Sequence, residues 1–371
     1  SDLAVLPELA VSGYPPLDLL ERRSFIDDHE SAVEKLIDEL PAIPVMFGCF
    51  ERSGQSTGKP LYNSVVVADN GRIVHKTRKQ LLPEYDVFDE NRYFEPGPPG
   101  EPFSWHGLTI GVTVCEDIWH YAVDEYHSRP VADLHAQALQ EGRPLDLLIN
   151  VSDSPYHRGK TRVRQSIFSS LTSQYGIPFI YVNQVGGQDS LLFDGASLAM
   201  DGTGKTIARA AHFKEDMVVV DTEQWSGEIT TTREPEEVEL VHDALVMGIR
   251  DYVTKSGFSR AVLGLSGGID SALTAALAVR ALGAENVLGV AMATFSGRWA
   301  PWGLRLLALR GITGLARPQQ GIEKIEKQYV GDHNRHEDDH DFIEIELARD
   351  KYALSGNFHH STRKCRAYDY T

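Results

Sequence analysis

Apolar residues in the first part of the chain alternate between short runs typical of strands and wider-spaced stripes typical of helices. Strands are predicted near 3–6, 45–50, 64–68, 73–76, 108–114, 147–151 and 177–183, with further strand-like runs at 194–199, 205–209 and 217–220. Helices are predicted at 28–40 and 161–175. Asp69-Asn70-Gly71 is a hairpin turn signal. This alternation predicts two sheets sandwiched by helices.

The pattern changes after residue 225. The acidic, turn-rich stretch 226–239 is typical of a linker, and 240–252 has the periodicity of a helix. A short apolar strand at 259–265 then leads through glycines into a second amphipathic helix. Because 371 residues are too many for one core of ordinary size, we predict separate α/β domains at 1–225 and 240–371.

Composition narrows the class of protein. A hydrophobic fraction of 42% with 24% charged residues is that of a soluble globular chain. The formal net charge of −17 argues against nucleic acid as a partner, and no apolar run is long enough to cross a bilayer. The cysteines, Cys49, Cys115 and Cys365, have no CxxC spacing. We therefore expect a protein of the reducing cytoplasm with neither a nucleic-acid nor a membrane partner.

The second domain contains a candidate phosphate-binding loop between its first strand and the helix that follows. Its residues are Gly264, Leu265, Ser266, Gly267, Gly268, Ile269, Asp270 and Ser271. Backbone N–H groups at the glycines and at the helix N-terminus can converge on an anion. The loop lacks a Walker-type lysine, but its serines can donate to phosphate and Asp270 can hold Mg²⁺. The alternative is a glycine turn at an ordinary strand-helix junction.

In the first domain, Glu8, Lys79 and Cys115 each end or follow a predicted strand. A carboxylate can take the proton of a thiol, and an ammonium group can stabilise the thiolate and a tetrahedral oxyanion. Taken singly, Cys115 is more simply a small buried hydrophobe and Glu8 a solvated turn residue.

Three segments resemble the catalytic segments of nitrilase-family glutaminases: LPELAVSGYP from Leu6, RKQLLPEYDVFDE from Arg78 and CEDIW from Cys115. The loop sequence SGGIDS resembles the signature of ATP pyrophosphatases. Their combination in one chain resembles the family of glutamine-dependent NAD⁺ synthetases. The resemblance implies an α-β-β-α nitrilase-like sandwich followed by a Rossmann-like ATP-pyrophosphatase α/β domain.

Roles for individual residues follow from the resemblance. It implies that Glu8 is the general base, Lys79 the oxyanion-stabilising cation and Cys115 the nucleophile. It further implies that Tyr85, Ser154 and Lys160 bind glutamine. The alternatives are that Tyr85 is a packing aromatic and Lys160 a surface charge that caps a helix.

The implied activity is the ATP-dependent amidation of deamido-NAD⁺ to NAD⁺, with ammonia released from glutamine. Glutamine, ATP, deamido-NAD⁺ and Mg²⁺ are the implied small molecules, and a homo-oligomer the implied assembly. The resemblance extends from Asp2 to Thr294 and then ends, so we expect the synthetase domain to be incomplete or divergent after about residue 294.

Two other functions remain open from the sequence. The first is a stand-alone amidase with an inactive second domain, which the altered tail favours. The second is a nucleotide-binding sensor. It is favoured because the loop is intact, whereas His360 stands where the resemblance implies a further metal-binding carboxylate. The His- and acid-rich run 331–341 fits no closed metal-ligand spacing and is predicted to be a solvated loop.

Overall fold

The structure is a computed structural model that describes residues 2–40, 43–121, 126, 128–230, 233–291 and 307–310. It comprises two compact units, the first ending at Ala244 and the second beginning at Leu245. The run 331–341 and Cys365 lie outside the described residues, as does the rest of the tail from Phe295 except 307–310. In this described part, the helices are too short or too polar to cross a membrane.

Two sheets and three helices make up most of the first unit. The strands are β1 (Ala4–Val5), β2 (Val45–Arg52), β3 (Leu61–Asp69), β4 (Arg72–Arg78), β5 (Phe103–Trp105), β6 (Leu108–Val114), β7 (Leu147–Ser152), β8 (Phe179–Asn183), β9 (Val185–Gln188), β10 (Leu191–Asp194), β11 (Leu198–Met200), β12 (Thr206–Arg209), β13 (Val220–Asp221) and β14 (Ser226–Gly227). The helices are α1 (Arg23–Glu39), α2 (Pro130–Gln140) and α3 (Lys160–Tyr175). The first sheet has the order β1-β2-β3-β4, and the second the order β12-β11-β8-β7-β6-β5.

The two sheets pack face to face because their strands alternate apolar side chains between two buried faces. Val65 and Val67 of β3 join Val112 and Ile149 of the second sheet in one core cluster. Val66, the residue between the two valines, instead packs in a cluster with side chains of α1. A strand has a side-chain period of two, so β3 fills the layer between the sheets and the layer under the helix at once.

Helices α2 and α3 cover the outer face of the second sheet. Leu134 of α2 and Phe168 of α3 share a cluster with Leu148 of β7 and Phe179 of β8. With α1 on the other side, the layers run helix, sheet, sheet, helix. The predicted α-β-β-α sandwich is therefore confirmed.

Some predicted elements differ from the structure. Helix α1 begins at Arg23, five residues before the predicted start at 28, because a 3₁₀ turn at Leu17–Glu21 leads into it. The predicted strand 194–199 is interrupted, since Gly195 (φ 62°) and Ala196 (φ 52°) adopt left-handed conformations. The sequence reading also lacked α2 and the β9–β10 hairpin.

The start of the predicted linker is ordered within the first unit. Ser226–Gly227 forms β14, which pairs with β13, and Thr230 donates its backbone N–H to the Arg209 carbonyl at 2.9 Å. Helix α4 (Glu237–Lys255) follows, beginning three residues before the predicted limit of 240.

The second unit contains a strand, a helix and a second strand that is parallel to the first. Its elements are β15 (Ala261–Leu265), α5 (Ile269–Leu282), β16 (Val287–Ala291) and β17 (Leu307–Arg310). Strands β15 and β16 pair in parallel, and β17 pairs antiparallel with β16. A parallel pair joined by a helix is the unit of Rossmann-like folds.

A buried ion pair ties α3 to the β9–β10 hairpin. Nη2 of Arg164 lies 2.7 Å from each carboxylate oxygen of Asp194, and both side chains are almost inaccessible to solvent. By contrast, the pair between Arg92 and Glu21, at 2.9 Å, is more than half exposed.

We predict that Arg164→Met lowers the free energy of unfolding by about 3–5 kcal/mol, because it leaves the Asp194 carboxylate buried without its partner. Arg92→Met is the matched control and should cost less than about 1 kcal/mol, since its pair is solvated. Urea denaturation of both variants measures the difference. Equal small losses would show that the buried pair does not stabilise this fold.

Candidate active site

The candidate catalytic residues leave the two sheets at neighbouring strand ends. Glu8 follows β1, and Lys79 comes directly after β4, both in the first sheet. Cys115 comes directly after β6 of the second sheet. The site therefore lies where the ends of the two packed sheets meet.

Glu8 is brought into the site by a close approach of two backbones. A Cβ atom added to Gly48 of β2 would lie 2.2 Å from the Leu9 nitrogen and 2.5 Å from the Glu8 Cα. The Gly48 N–H also donates to the Pro7 carbonyl at 3.0 Å. Only glycine allows the chain at Glu8 to pass β2 at this distance.

The Glu8 carboxylate is buried and bonded from three directions. Oε1 accepts hydrogen bonds from Asn63 Nδ2 at 2.7 Å and from Lys79 Nζ at 2.9 Å. Oε2 accepts the backbone N–H of Asp153 at 2.8 Å. These bonds hold the carboxylate in one orientation, with Asn63 and Lys79 from the first sheet and Asp153 from the end of β7.

Lys79 is held between two carboxylates, of which sequence reasoning found one. Its Nζ also donates to Glu90 Oε1 at 2.8 Å, and the Tyr14 hydroxyl donates to the same oxygen at 2.8 Å. Burial opposes a charged Lys79, but Glu8 and Glu90 raise its pKa well above the usual range. Lys79 is therefore an ammonium group throughout the neutral pH range.

Glu90 is one of the site residues to which the sequence analysis assigned no role. It is the last residue of the segment resembling the lysine motif, and a 3₁₀ turn at Glu90–Arg92 places it against Lys79. Burial raises the pKa of Glu90 to about 7, with Lys79 opposing the rise and Glu8 adding to it. Among the described residues, Glu90 Oε2 has no hydrogen-bond partner.

Cys115 is buried and has a left-handed backbone, with φ 41°. Such a conformation costs a residue other than glycine free energy and recurs where a side chain must project from a sharp turn after a strand. Burial raises the pKa of the Cys115 thiol, Glu8 raises it further, and Lys79 opposes the rise. The resting sulfur is therefore a thiol, and Glu8 lies near enough to affect its ionisation.

The residues predicted to bind glutamine surround the same site. The Tyr85 hydroxyl donates to Glu116 Oε1 at 3.0 Å, and the Tyr126 hydroxyl donates to the same atom at 2.8 Å. Lys160 Nζ lies 3.9 Å from the centroid of the Trp119 ring. Glu116 was not predicted from the sequence, although it directly follows Cys115.

Lys160 and Ser154 are both buried. Burial lowers the pKa of Lys160, while the nearby Cys115 and Glu116 oppose that change. The backbone N–H of Ser154 donates to Asn183 Oδ1 at 2.9 Å, and its side chain bonds to Tyr181. Tyr85 and Lys160 thus lie near Cys115, and Ser154 directly follows Asp153, whose backbone N–H is bonded to Glu8.

The candidate phosphate loop is in the second unit, as its position in the sequence predicts. Gly264 and Leu265 end β15, Ser266, Gly267 and Gly268 form the turn, and Ile269, Asp270 and Ser271 begin α5. Gly267 has φ 94°, and the Ser271 hydroxyl donates to the Gly268 carbonyl at 2.9 Å. The Gly268 N–H donates to the Ser266 hydroxyl at 3.3 Å. The turn, Ile269 and Asp270 are solvent-exposed, so N–H groups at the start of α5 that lack an acceptor within the helix are open to an anion.

Among the described residues, no group of three or more His, Cys, Asp or Glu side chains is arranged to hold a metal ion. Mg²⁺ commonly binds through one or two carboxylates together with substrate phosphates. Asp270 beside the glycine turn fits that pattern, with phosphates supplying the remaining ligands.

Known proteins share both halves of this arrangement. The family model described as Carbon-nitrogen hydrolase matches residues 1–227, and the model described as NAD synthase matches residues 241–298. The chain is 43% identical over 307 residues to the glutamine-dependent NAD(+) synthetase of Synechocystis sp., which covers 79% of this chain and 53% of that protein. With the Thermotoga maritima synthetase the identity is 36% over 329 residues, covering 79% and 54%.

A solved structure is similar as well. The glutamine-dependent NAD⁺ synthetase from Acinetobacter baumannii in complex with ADP superposes with a TM-score of 0.70 at 36% identity, over 80% of this chain and 54% of that chain. This chain spans about half the length of the relatives that it matches.

We predict that Gly48→Ala reduces amide hydrolysis at this site by about 10²-fold, because the added methyl group displaces Glu8 from Lys79. Gly100→Ala is the control, since its Cβ would meet its nearest neighbour at an ordinary 3.8 Å. Steady-state hydrolysis of glutamine measures both. Full activity in the Gly48 variant would mean that the position of Glu8 does not limit the reaction.

Proposed function

Because its first 227 residues match the family model, the chain belongs to the carbon-nitrogen hydrolase family, and we propose that this domain releases ammonia from glutamine at Cys115. The observation that carries the proposal is the direct contact of Glu8 with Lys79 beside the buried Cys115 thiol. A thiol with a raised pKa needs a base to become a nucleophile, and Glu8 is the carboxylate in position to act as that base.

The geometry supports a two-step reaction. Glu8 accepts the proton of Cys115, and the sulfur attacks the carbon of the glutamine amide. Lys79 stabilises the oxyanion that forms. The amide nitrogen takes the proton back from Glu8 and leaves as ammonia. Water, deprotonated by Glu8, then cleaves the thioester to glutamate and restores the thiol.

Glu90 keeps Lys79 charged and oriented during this sequence. Its Oε1 lies 2.8 Å from Nζ, so Lys79 remains bonded when Glu8 becomes protonated. A buried ammonium group is destabilised less when one of its two carboxylate partners is briefly neutralised than when its only partner is.

The α-carboxylate and the α-ammonium group of glutamine are opposite in charge to Lys160 and Glu116, respectively. Lys160 contacts the face of Trp119 and has no ion pair among the described side chains, so it is suited to the α-carboxylate. Glu116, held by Tyr85 and Tyr126, is suited to the α-ammonium group. We assign Ser154 to the same binding site from the resemblance of its segment.

For the second domain we propose the ATP-dependent amidation of deamido-NAD⁺. The carboxylate of the substrate would attack the α-phosphate of ATP with release of pyrophosphate, and ammonia would then displace AMP from the acyl adenylate. The loop from Gly264 to Ser271 would bind the phosphates, and Asp270 would hold Mg²⁺, which would neutralise part of their charge. We keep 1–225, 226–239 and 240–371 as the proposed domain limits, and a cytoplasmic homo-oligomer as the proposed form.

We predict that Cys115→Ala lowers glutamine-supported NAD⁺ formation about 10³-fold or more and leaves ammonium-supported formation unchanged, because only the thioester step needs the thiol. Asp270→Asn should lower both routes and leave glutamate release unchanged, since it removes a metal ligand in the other domain. Cys49→Ala, at the other buried cysteine of the first unit, is the control. The measurement is NAD⁺, pyrophosphate and glutamate formed from deamido-NAD⁺ and ATP, with glutamine or ammonium chloride.

Each alternative has its own result. Glutamate release without pyrophosphate from either nitrogen source would identify a stand-alone amidase. ATP binding with neither product would identify a nucleotide sensor. Equal loss of both routes in Cys115→Ala would contradict the proposed division of labour between the domains.

A further inference from the structure

Asp117 is fully buried two residues after Cys115 and takes no part in the chemistry above. Within the part of the chain that the structure describes, three backbone N–H groups donate to its carboxylate. Oδ1 accepts the N–H groups of Gln80 and Leu81, each at 2.9 Å, and Oδ2 accepts the N–H of Val114 at 3.0 Å.

The three donors belong to the two segments that carry catalytic groups. Gln80 and Leu81 directly follow Lys79 at the end of β4, and Val114 directly precedes Cys115 at the end of β6. Strands β4 and β6 lie in different sheets. One carboxylate therefore joins the sheets at the point where the ammonium and the thiol leave them.

The peptide groups of Lys79 itself bond elsewhere. Its N–H donates to the Asn63 carbonyl of β3 at 2.8 Å, and its carbonyl accepts the N–H of Gly97 at 2.7 Å. These bonds fix Lys79 relative to the first sheet but not relative to Cys115. Glu8 provides a second link through the N–H of Asp153, yet in the proposed reaction Glu8 gains and loses a proton.

We propose that Asp117 is a positioning residue that sets the distance between the Lys79 ammonium group and the Cys115 sulfur. The proposal rests on the proposed function of this site. Catalytic groups displaced by about 1 Å can cost about 10²-fold in rate, so a link of this kind has a measurable effect.

An amide at this position cannot make the same bonds. In Asp117→Asn one acceptor oxygen is replaced by an NH₂ group, which faces backbone N–H donors and cannot accept from them. Burial raises the pKa of Asp117 to about 7, while the three N–H donors and Lys79 oppose the rise. The variant is therefore compared with the wild type at a pH of about 8.5, where the carboxylate is ionised.

The test measures kcat and KM for glutamine together with the rate at which iodoacetamide alkylates Cys115, followed on the Cys115 peptide. Asp117→Asn should lower kcat about 10²-fold and change KM less than about threefold, because the described contacts of Lys160 and Ser154 do not include Asp117. Alkylation should slow about tenfold, since Lys79 stabilises the thiolate less when it is displaced.

Asp146→Asn is the matched control. Asp146 Oδ2 accepts the N–H of Thr109 at 2.8 Å, which is the same kind of bond at the opposite end of β6. It should leave kcat and the alkylation rate within about twofold of wild type. If Asp117→Asn does not accumulate as folded protein, Asp117→Glu is measured instead, because it keeps the charge but cannot place both oxygens on the same donors.

A folded variant at Asp117 with wild-type kcat and alkylation rate would overturn the proposal. A variant that lowers only the free energy of unfolding would also overturn the proposal. Glutamine hydrolysis absent from the wild type would contradict the proposed function instead, and the alkylation rates would still test the role of Asp117.

Discussion

An ammonium group buried between two carboxylates is the interaction on which the rest of the first unit depends. Lys79 is inaccessible to solvent, and so is Glu8. A buried charge without partners costs several kcal/mol, so the fold must bring carboxylates to Lys79 from distant parts of the chain. Glu8 is 71 positions away, in the segment after β1, whereas Glu90 is 11 positions further on, in a 3₁₀ turn. Once assembled, the cluster holds a base and a cation beside Cys115 in fixed positions.

The packing of the sandwich explains why this cluster can form. Strand β3 is buried along almost its whole length and supplies Asn63 to Glu8. Gly48 in the neighbouring strand allows the backbone at Glu8 to approach. On the other sheet, the parallel strands β6 and β7 end together, which places Cys115 near Asp153. The hydrophobic layer between the sheets thus fixes the chemistry at their edge, and the polar bonds of Glu8 and Asp117 complete the alignment.

Much of this arrangement could be predicted from the sequence, because apolar periodicity is local. The strand Leu108–Val114 was predicted to the residue, and the turn at Asn70 and Gly71 has the positive φ values that its sequence indicates. Glu90 and Asn63 could not be found in this way, since their roles come from contacts with Lys79 and Glu8 across separate elements. The interruption of the strand at Ala196 also has no local signal, because a left-handed alanine is imposed by the tertiary structure.

Cleavage of glutamine through a thioester on Cys115 is tested most directly by the fate of that thioester. Glutamine and the γ-methyl ester of glutamate are hydrolysed in the presence of hydroxylamine, and the ratio of γ-glutamyl hydroxamate to glutamate is measured for each. If both substrates form the same thioester, the account predicts the same ratio from both at every hydroxylamine concentration. Ratios that depend on the leaving group, or hydroxamate formed equally well by Cys115→Ala, would contradict it.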